Sequence, residues 1–281
     1  MRTQAVPKEA VGVYNRALDL SCRGEYSTAL KEYQHAIELY PEFIEAYNNI
    51  GEIYSRMGER DRAISTYMRA LTISRHHKVL LNLGVEYYNR SDYTSAIKYF
   101  KESLSLDVNF LEGNFYMGMA YFNLKNYQMA EKYFAVVVRL DARHVKANYL
   151  LSYIYYEWKD YHRTLQCLDN IRDIADDPSF VNKYYGFCHY HLGHYEQAVD
   201  YLTTALESNP QYAKFRNYLK GLTYENKLHE VGDVDQRIKE MEQKMMSDRP
   251  TLREFSRLSM LYIFKGEYKK AEDLLLSARG A

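Results

Sequence analysis

The sequence predicts an all-α chain of tandem antiparallel helix pairs, and three observations carry that prediction. Gly51, Gly84, Gly118, Ser152, Gly186 and Gly221 follow one another at steps of 33, 34, 34, 34 and 35 residues, a period that marks a repeat array. Ala29, Ala63, Ala96, Ala130, Thr164 and Ala198 keep the same step and open a small-aromatic-small pattern such as Ala63, Tyr67 and Ala70; offsets of four and seven lie on one helix face. Third, 30 Tyr and 11 Phe in 281 residues are an excess that needs a structural cause, and many of them recur at fixed places in the period.

Within a repeat the first helix shows offsets of the same kind, as in Tyr47, Ile50, Gly51 and Tyr54, or Leu80, Leu83, Gly84 and Tyr87. A short turn follows, with Gly24, Gly58, Gly193 and Gly266 as breakers. Just after the turn stands a tyrosine, at Tyr26, Tyr93, Tyr127, Tyr161, Tyr195 and Tyr268, whose ring can seal the turn while its hydroxyl reaches water or a backbone group. Pro41, Pro178, Pro210 and Pro250 fall at or near the junctions between repeats. Glycine on the first helix and alanine on the second let two backbones approach, with Tyr, Phe and Leu filling the space around the contact.

Eight repeats are expected, starting near residues 10, 44, 77, 111, 145, 179, 214 and 252, after an extension over residues 1–9. Together, residues 10–281 are expected to form a single solenoid. The fifth repeat has Ser152 and Thr164 in place of the small residues. The seventh keeps Gly221 and Tyr224, then reads KLHEVGDVDQ as a longer turn, followed by a helix whose apolar stripe is Val234, Ile238, Met241 and Met245. The step from Gly221 to Ser259 is 38 residues, which predicts a kink or register shift there.

Composition narrows the function classes. With 37 Lys+Arg against 37 Asp+Glu the chain carries no net charge, so general affinity for nucleic acid or an anionic membrane is not expected. Cys22, Cys167 and Cys188 are odd in number and far apart, which fits neither a disulfide framework nor a zinc motif and points to a reducing compartment. The N-terminal MRTQAVPKEA lacks the apolar centre of a signal peptide, and no stretch has the length of a transmembrane helix. A cytoplasmic location is expected, or a periplasmic one if an export segment has been removed.

The repeat pattern resembles the tetratricopeptide repeat (TPR) family. Residues 44–77 carry the resemblance best, through Tyr47, Ile50, Gly51 and Tyr54 on the first helix and Ala63, Tyr67 and Ala70 on the second. The resemblance implies a right-handed superhelix whose concave face, lined by first helices, binds peptides or partner proteins, and it implies no catalysis. By the same resemblance the inner face of the second repeat is the polar set Glu45, Asn48, Glu52, Ser55 and Arg56.

One subtype of the family grips the carboxylate end of a chaperone tail with Lys and Asn on successive first helices. Here Tyr14 and Leu18 stand at two of the required places, leaving Asn49 and Lys78 as the matches, too few converging donors to offset the desolvation of a carboxylate. Asn15, Asn49 and Asn82 share one place in the repeat and suggest an asparagine ladder against a peptide backbone. Asn114, Asn148, Asn182 and Asn217 occupy an earlier place and read better as local caps of their own helices than as ligand contacts. In the cluster Cys188, His189, His191 and His194 the spacing places no common coordination face on the helix, with His194 beyond Gly193, and His189 takes the place of a packing tyrosine. No phosphate-binding glycine loop, nucleophile elbow or His-Glu-x-x-His motif is present, and neither cofactor nor metal is implied.

The candidate site is therefore a partner-binding face. Phe115, Met119 and Phe122, then Tyr149, Tyr153 and Tyr156, then Phe180, Phe187 and Tyr190 form an aromatic stripe at the inner positions of repeats four to six. Either the stripe packs against neighbouring first helices or it lines a groove. The polar set of repeat two and the rim of Lys146, Glu157 and Lys183 favour a groove. The expected function is a non-enzymatic scaffold or adaptor that binds a peptide or helical segment of another protein. A regulatory subunit of an enzyme complex, or a chaperone-like assembly factor, is the alternative. Leu274, Leu275 and Leu276 cannot all face one neighbour, which predicts self-association or a partner contact through the C-terminal helix.

Overall fold

The computed structural model describes residues 5–208 and 234–247 and, towards the C-terminus, 254–255, 258–259, 261–262, 265 and 267–277. Among them every regular element is a helix. The chain divides into two compact bodies, Met1–Ala175 and Asp176–Ala281. In the first, α1 (Lys8–Cys22) pairs with α2 (Tyr26–Leu39), α3 (Ile44–Arg56) with α4 (Arg60–Ile73), α5 (His77–Asn89) with α6 (Tyr93–Leu106), α7 (Leu111–Asn123) with α8 (Tyr127–Leu140), and α9 (Val145–Glu157) with α10 (Tyr161–Asp169). Within this body α2, α4, α6 and α8 each pack on the first helix that follows, and α3 meets α5 as α5 meets α7, so its pairs stack as one array.

The pairing is set by sterics at the glycines. A Cβ on Gly118 would come within 2.6 Å of Phe134 Cε1, and Gly51 and Gly84 face the rings of Tyr67 and Phe100 in the same way. The small residue on the first helix thus receives a ring from the second, one turn beyond the fully buried Ala63, Ala96 and Ala130. In the fifth repeat Ser152 and Thr164 are also fully buried. Their hydroxyls donate to Tyr149 O at 2.8 Å and Asp160 O at 2.9 Å on their own helices, while the ring's place in the register is taken by Leu168, which is fully buried.

Each turn inside a pair closes with a left-handed residue and two backbone bonds. Ser91 N–H donates to Tyr88 O at 2.8 Å and Asp92 N–H to Tyr87 O at 3.0 Å; Gly58 and Glu59 do the same to Ser55 O and Tyr54 O. Gly24, Gly58 and Gly193 take this place with φ of 79°, as their sequence positions predict. Ser91, Lys125 and Lys159 take it without being glycine, at φ of 62°, 59° and 60°. These three turns are followed by true N-caps: Asp92 accepts from Ser95 N–H at 3.1 Å, Asn126 from Met129 N–H at 3.2 Å and Asp160 from Arg163 N–H at 3.0 Å. After Gly24 and Gly58 the capping residues are Glu25 and Glu59, with no side-chain cap bond. A cap contributes about 1 kcal/mol, enough to offset much of the left-handed strain. Lys125→Gly, which keeps the Asn126 cap, is expected to raise stability by about 0.5–1 kcal/mol, the relieved strain less the added freedom of the unfolded chain. A lowered denaturant midpoint would contradict this.

In the second body α11 (Pro178–His191) pairs with α12 (Tyr195–Ser208), and Gly186 receives Leu202. Helices α13 (Val234–Ser247) and α14 (Tyr268–Ser277) follow. Of the stripe expected on α13, Ile238, Met241 and Met245 pack with Leu258, Leu261, Tyr262, Ala271 and Leu274, and the side chain of Val234 lies outside the described residues. The expected longer turn and register shift after Gly221, together with Gly266, Pro210, Pro250 and Asn217, lie outside the described residues, as do the side chains of Leu275 and Leu276. Among the described residues no helix is long and apolar enough to cross a membrane.

Candidate functional site

The face formed by the first helices changes character along the first body. At its start it is a polar network. Asn49 donates one amide hydrogen to Tyr14 Oη and one to Tyr33 Oη, both at 3.0 Å. Asn82 donates to Asn48 Oδ1 at 2.9 Å and Glu52 Oε1 at 3.0 Å, and Asn48 donates to the same Glu52 oxygen at 2.7 Å. The amide donors proposed for a peptide ladder are thus engaged inside the protein, and Asn15 is exposed. Asn114 and Asn148 are buried and donate to the loop and first-turn carbonyls before them, Val108 and Phe110 O for one, Ala142 and His144 O for the other. They tie each junction to its helix, so the local reading of their place in the repeat holds, with carbonyls as the partners.

Further along, the face becomes aromatic. Phe115, Met119 and Phe122 on α7 and Tyr149, Tyr153 and Tyr156 on α9 are all half-buried. Phe122, Tyr127 and Tyr153 form an edge-to-face triangle with centroids 5.3, 5.7 and 6.3 Å apart, which joins α7, α8 and α9. Phe115 rests 5.9 Å from Phe134 and 5.0 Å from His144, and His144 is fixed as the cap of α9 by Ala147 N–H at 3.1 Å. Tyr156 meets Tyr161 at 5.9 Å. Burial first, then the Glu157 charge, raises the Tyr153 phenol above its ordinary pKa. These side chains therefore both pack and present a surface.

Val85 and Tyr88 on α5, half-buried at the corresponding places of the third repeat, extend the stripe by one helix. Tyr88 Oη accepts from Asn123 Nδ2 at 2.8 Å, which couples α5 to α7 across the face. Counting the third repeat by the same positions as the fourth would have found both.

Phe180, Phe187 and Tyr190 belong to the second body and are half-buried on α11. Phe187 and Tyr190 pack on Leu202, and Phe180 lies 4.6 Å from Tyr184. His194, beyond Gly193, comes back against His189. The turn after α11 bends back, His194 N–H donating to His189 O at 2.8 Å, and the two Nδ1 atoms stand 3.3 Å apart. His189 is also stacked on Tyr201 at 5.4 Å. Among the described residues no group of three or more His, Cys, Asp or Glu is arranged to hold a metal ion.

Models of the tetratricopeptide repeat match residues 42–109, 81–144 and 180–212, and a TPR repeat model matches residues 23–58. The chain belongs to the tetratricopeptide repeat family. No curated protein matches it in sequence. Among solved structures, Pseudomonas aeruginosa PilF superposes with a TM-score of 0.66 at 18% identity, over 76% of this chain and 100% of PilF. The type IV pilus biogenesis factor PilW gives 0.57 at 16%, over 73% of this chain and 96% of PilW. YrrB, described as a TPR protein with an unusual peptide-binding site, gives 0.50 at 26%, over 61% of this chain and 89% of YrrB. PilF and PilW establish the TPR architecture and nothing about a ligand. In TPR terms, the aromatic stripe lies on the first helices, and the rings of Tyr67, Phe100 and Phe134 are the wedge between the two helices of a repeat.

Proposed function

We propose that this TPR protein is a non-enzymatic interaction scaffold whose first-helix face on α7 and α9 takes a peptide or helical segment of a partner. One observation carries the reading: the same inner places are an internally bonded polar network on α3 and half-buried rings on α7 and α9. A repeat array stacks with either kind, so the rings are not a requirement of the fold. Aromatic side chains held by their neighbours lose little entropy on binding and serve as anchors. The likeness to YrrB, a TPR protein with a peptide-binding site, supports the same class of ligand.

The test substitutes Phe122→Ala together with Tyr153→Ala and measures partner capture and thermal melting separately. Binding is expected to fall by about 30-fold or more, as for anchors worth 2 kcal/mol and above, with the array still folded. A large drop in melting temperature with capture unchanged would make these rings core and reject the groove. Phe187→Ala, made alone, reports whether α11 contributes to the same binding event.

A further inference from the structure

A second surface of the first body has a chemistry of its own. Between α6 and α8, with α7 as its floor, opens a cleft of about 240 Å3. Leu104, Val108, Met117 and Val136 give it an apolar lining, and Lys101, Lys132 and Arg139 stand around it with no carboxylate among the lining residues. Val108 is 70% exposed. None of the three cations is in an ion pair among the described residues, and Lys132 Nζ stands 6.0 Å over the ring of Tyr133, which also lines the cleft.

The repeat supplies an internal comparison. Two repeats earlier the equivalent cleft has Gln34 where Lys101 stands, Ser65 for Lys132 and Arg69 for Val136. There Arg62 pairs with Glu59 and lies 4.0 Å over Tyr54, and Arg69 lies 5.2 Å over the Tyr47 ring. Stacking of repeats therefore requires neither an apolar cleft nor a cation at the places of Lys101 and Lys132. Since the chain as a whole is neutral, the positive potential is local to the cleft.

We propose that this cleft binds an acidic segment of a partner protein in which a bulky apolar side chain is flanked by Asp or Glu. The apolar side chain enters between α6 and α8, and the carboxylates meet Lys101, Lys132 and Arg139. Charge complementarity selects an anionic partner. The volume falls below the roughly 300–1,000 Å3 typical of small-molecule sites and suits a single anchoring side chain. The site lies apart from the aromatic first-helix face and does not depend on it.

The test is fluorescence anisotropy on the full chain with a fluorescein-labelled peptide, Gly-Ser-Asp-Glu-Leu-Phe-Asp-Glu-Ser-Gly. Saturable binding is expected, weakened about tenfold or more by Lys132→Glu with Arg139→Glu, and weakened by added salt. A peptide with Asn and Gln for Asp and Glu, or with Ser-Ser for Leu-Phe, is expected to lose binding to the same degree without any change to the protein. Phe122→Ala with Tyr153→Ala should leave this binding intact, which separates the cleft from the aromatic face. Absence of saturable binding, equal affinity for the uncharged peptide, indifference to charge reversal, or binding to phosphatidylglycerol vesicles in place of the peptide would each overturn the proposal.

Discussion

Phe134→Ala is expected to destabilise the array by about 3–5 kcal/mol, the cost of emptying a fully buried aromatic site, and Gly118→Ala by about 1–3 kcal/mol through overpacking. The two residues form one contact: a Cβ on Gly118 would lie 2.6 Å from Phe134 Cε1 and 2.7 Å from Cδ1. Phe134 is 0% exposed, so its ring has no solvent side to swing into. The fifth repeat accommodates a serine at the glycine's place with Leu168 in that of the ring, both fully buried. Gly118→Ala is therefore expected to cost less in a Phe134→Leu background than in the wild type. A double-mutant cycle in urea, followed by the helical circular dichroism signal, measures this as a coupling energy of about 1 kcal/mol or more. Additive effects, or a Gly118→Ala protein as stable as the parent, would mean that the ring and the glycine do not restrain one another.

That contact also explains why so much of the architecture was legible. A place where only a hydrogen atom or a methyl group fits, repeated at the same spacing, forces Gly51, Gly84, Gly118 and the alanine series on the sequence. The tyrosines that open second helices are legible by their recurrence at one place in the repeat, and Tyr26, Tyr93, Tyr127 and Tyr161 each begin a helix. Features that depend on chain direction or on three helices at once were not. Ser91, Lys125 and Lys159 occupy a left-handed turn that glycine announces elsewhere, because the turn is closed by backbone bonds and followed by a capping side chain. Glu86 is 1% exposed with no hydrogen-bond partner on Oε2 among the described residues, at a place taken by Ile53, Ala120 and Ile154 in other repeats. The stripe read from Leu80, Leu83, Gly84 and Tyr87 leaves that place out, so the burial of its carboxylate emerges only from the fold. The aromatic residues of the candidate face were legible by their inner positions on α7 and α9, whereas the triangle of Phe122, Tyr127 and Tyr153 needs the second helix between them. The cationic cleft draws on α6, α7 and α8, and a linear reading separates its members.

Alkaline pH is expected to unfold the first body cooperatively, with several kcal/mol lost between pH 10 and about 12. Burial pushes the Tyr33 phenol from 10 up to about 12, against the lowering effect of its bond from Asn49. Burial raises Tyr67 further, aided by the charges of Glu52 and Glu86, and it raises Tyr155 with help from the bond and charge of Glu131. A raised folded-state value means that the native protein holds the phenolic proton more tightly than the unfolded chain does. The stabilisation from these neutral tyrosines is complete below the unfolded value near 10 and is lost as pH rises towards the folded values. Each unit of difference corresponds to about 1.4 kcal/mol, and a domain's net stability is only about 5–15 kcal/mol. Several tyrosines acting together should therefore unfold the array before any one of them ionises in place. The tyrosinate absorbance contributed by Tyr67, read as the difference between the parent and Tyr67→Phe, and the loss of helical signal should follow one curve. Tyr67→Phe keeps the ring against Gly51 and removes one ionisable hydroxyl; its alkaline midpoint should move to higher pH, with stability at neutral pH little changed. A Tyr67 contribution that appears near pH 10 while the helices stay intact would show that this ring is far wetter than its burial indicates.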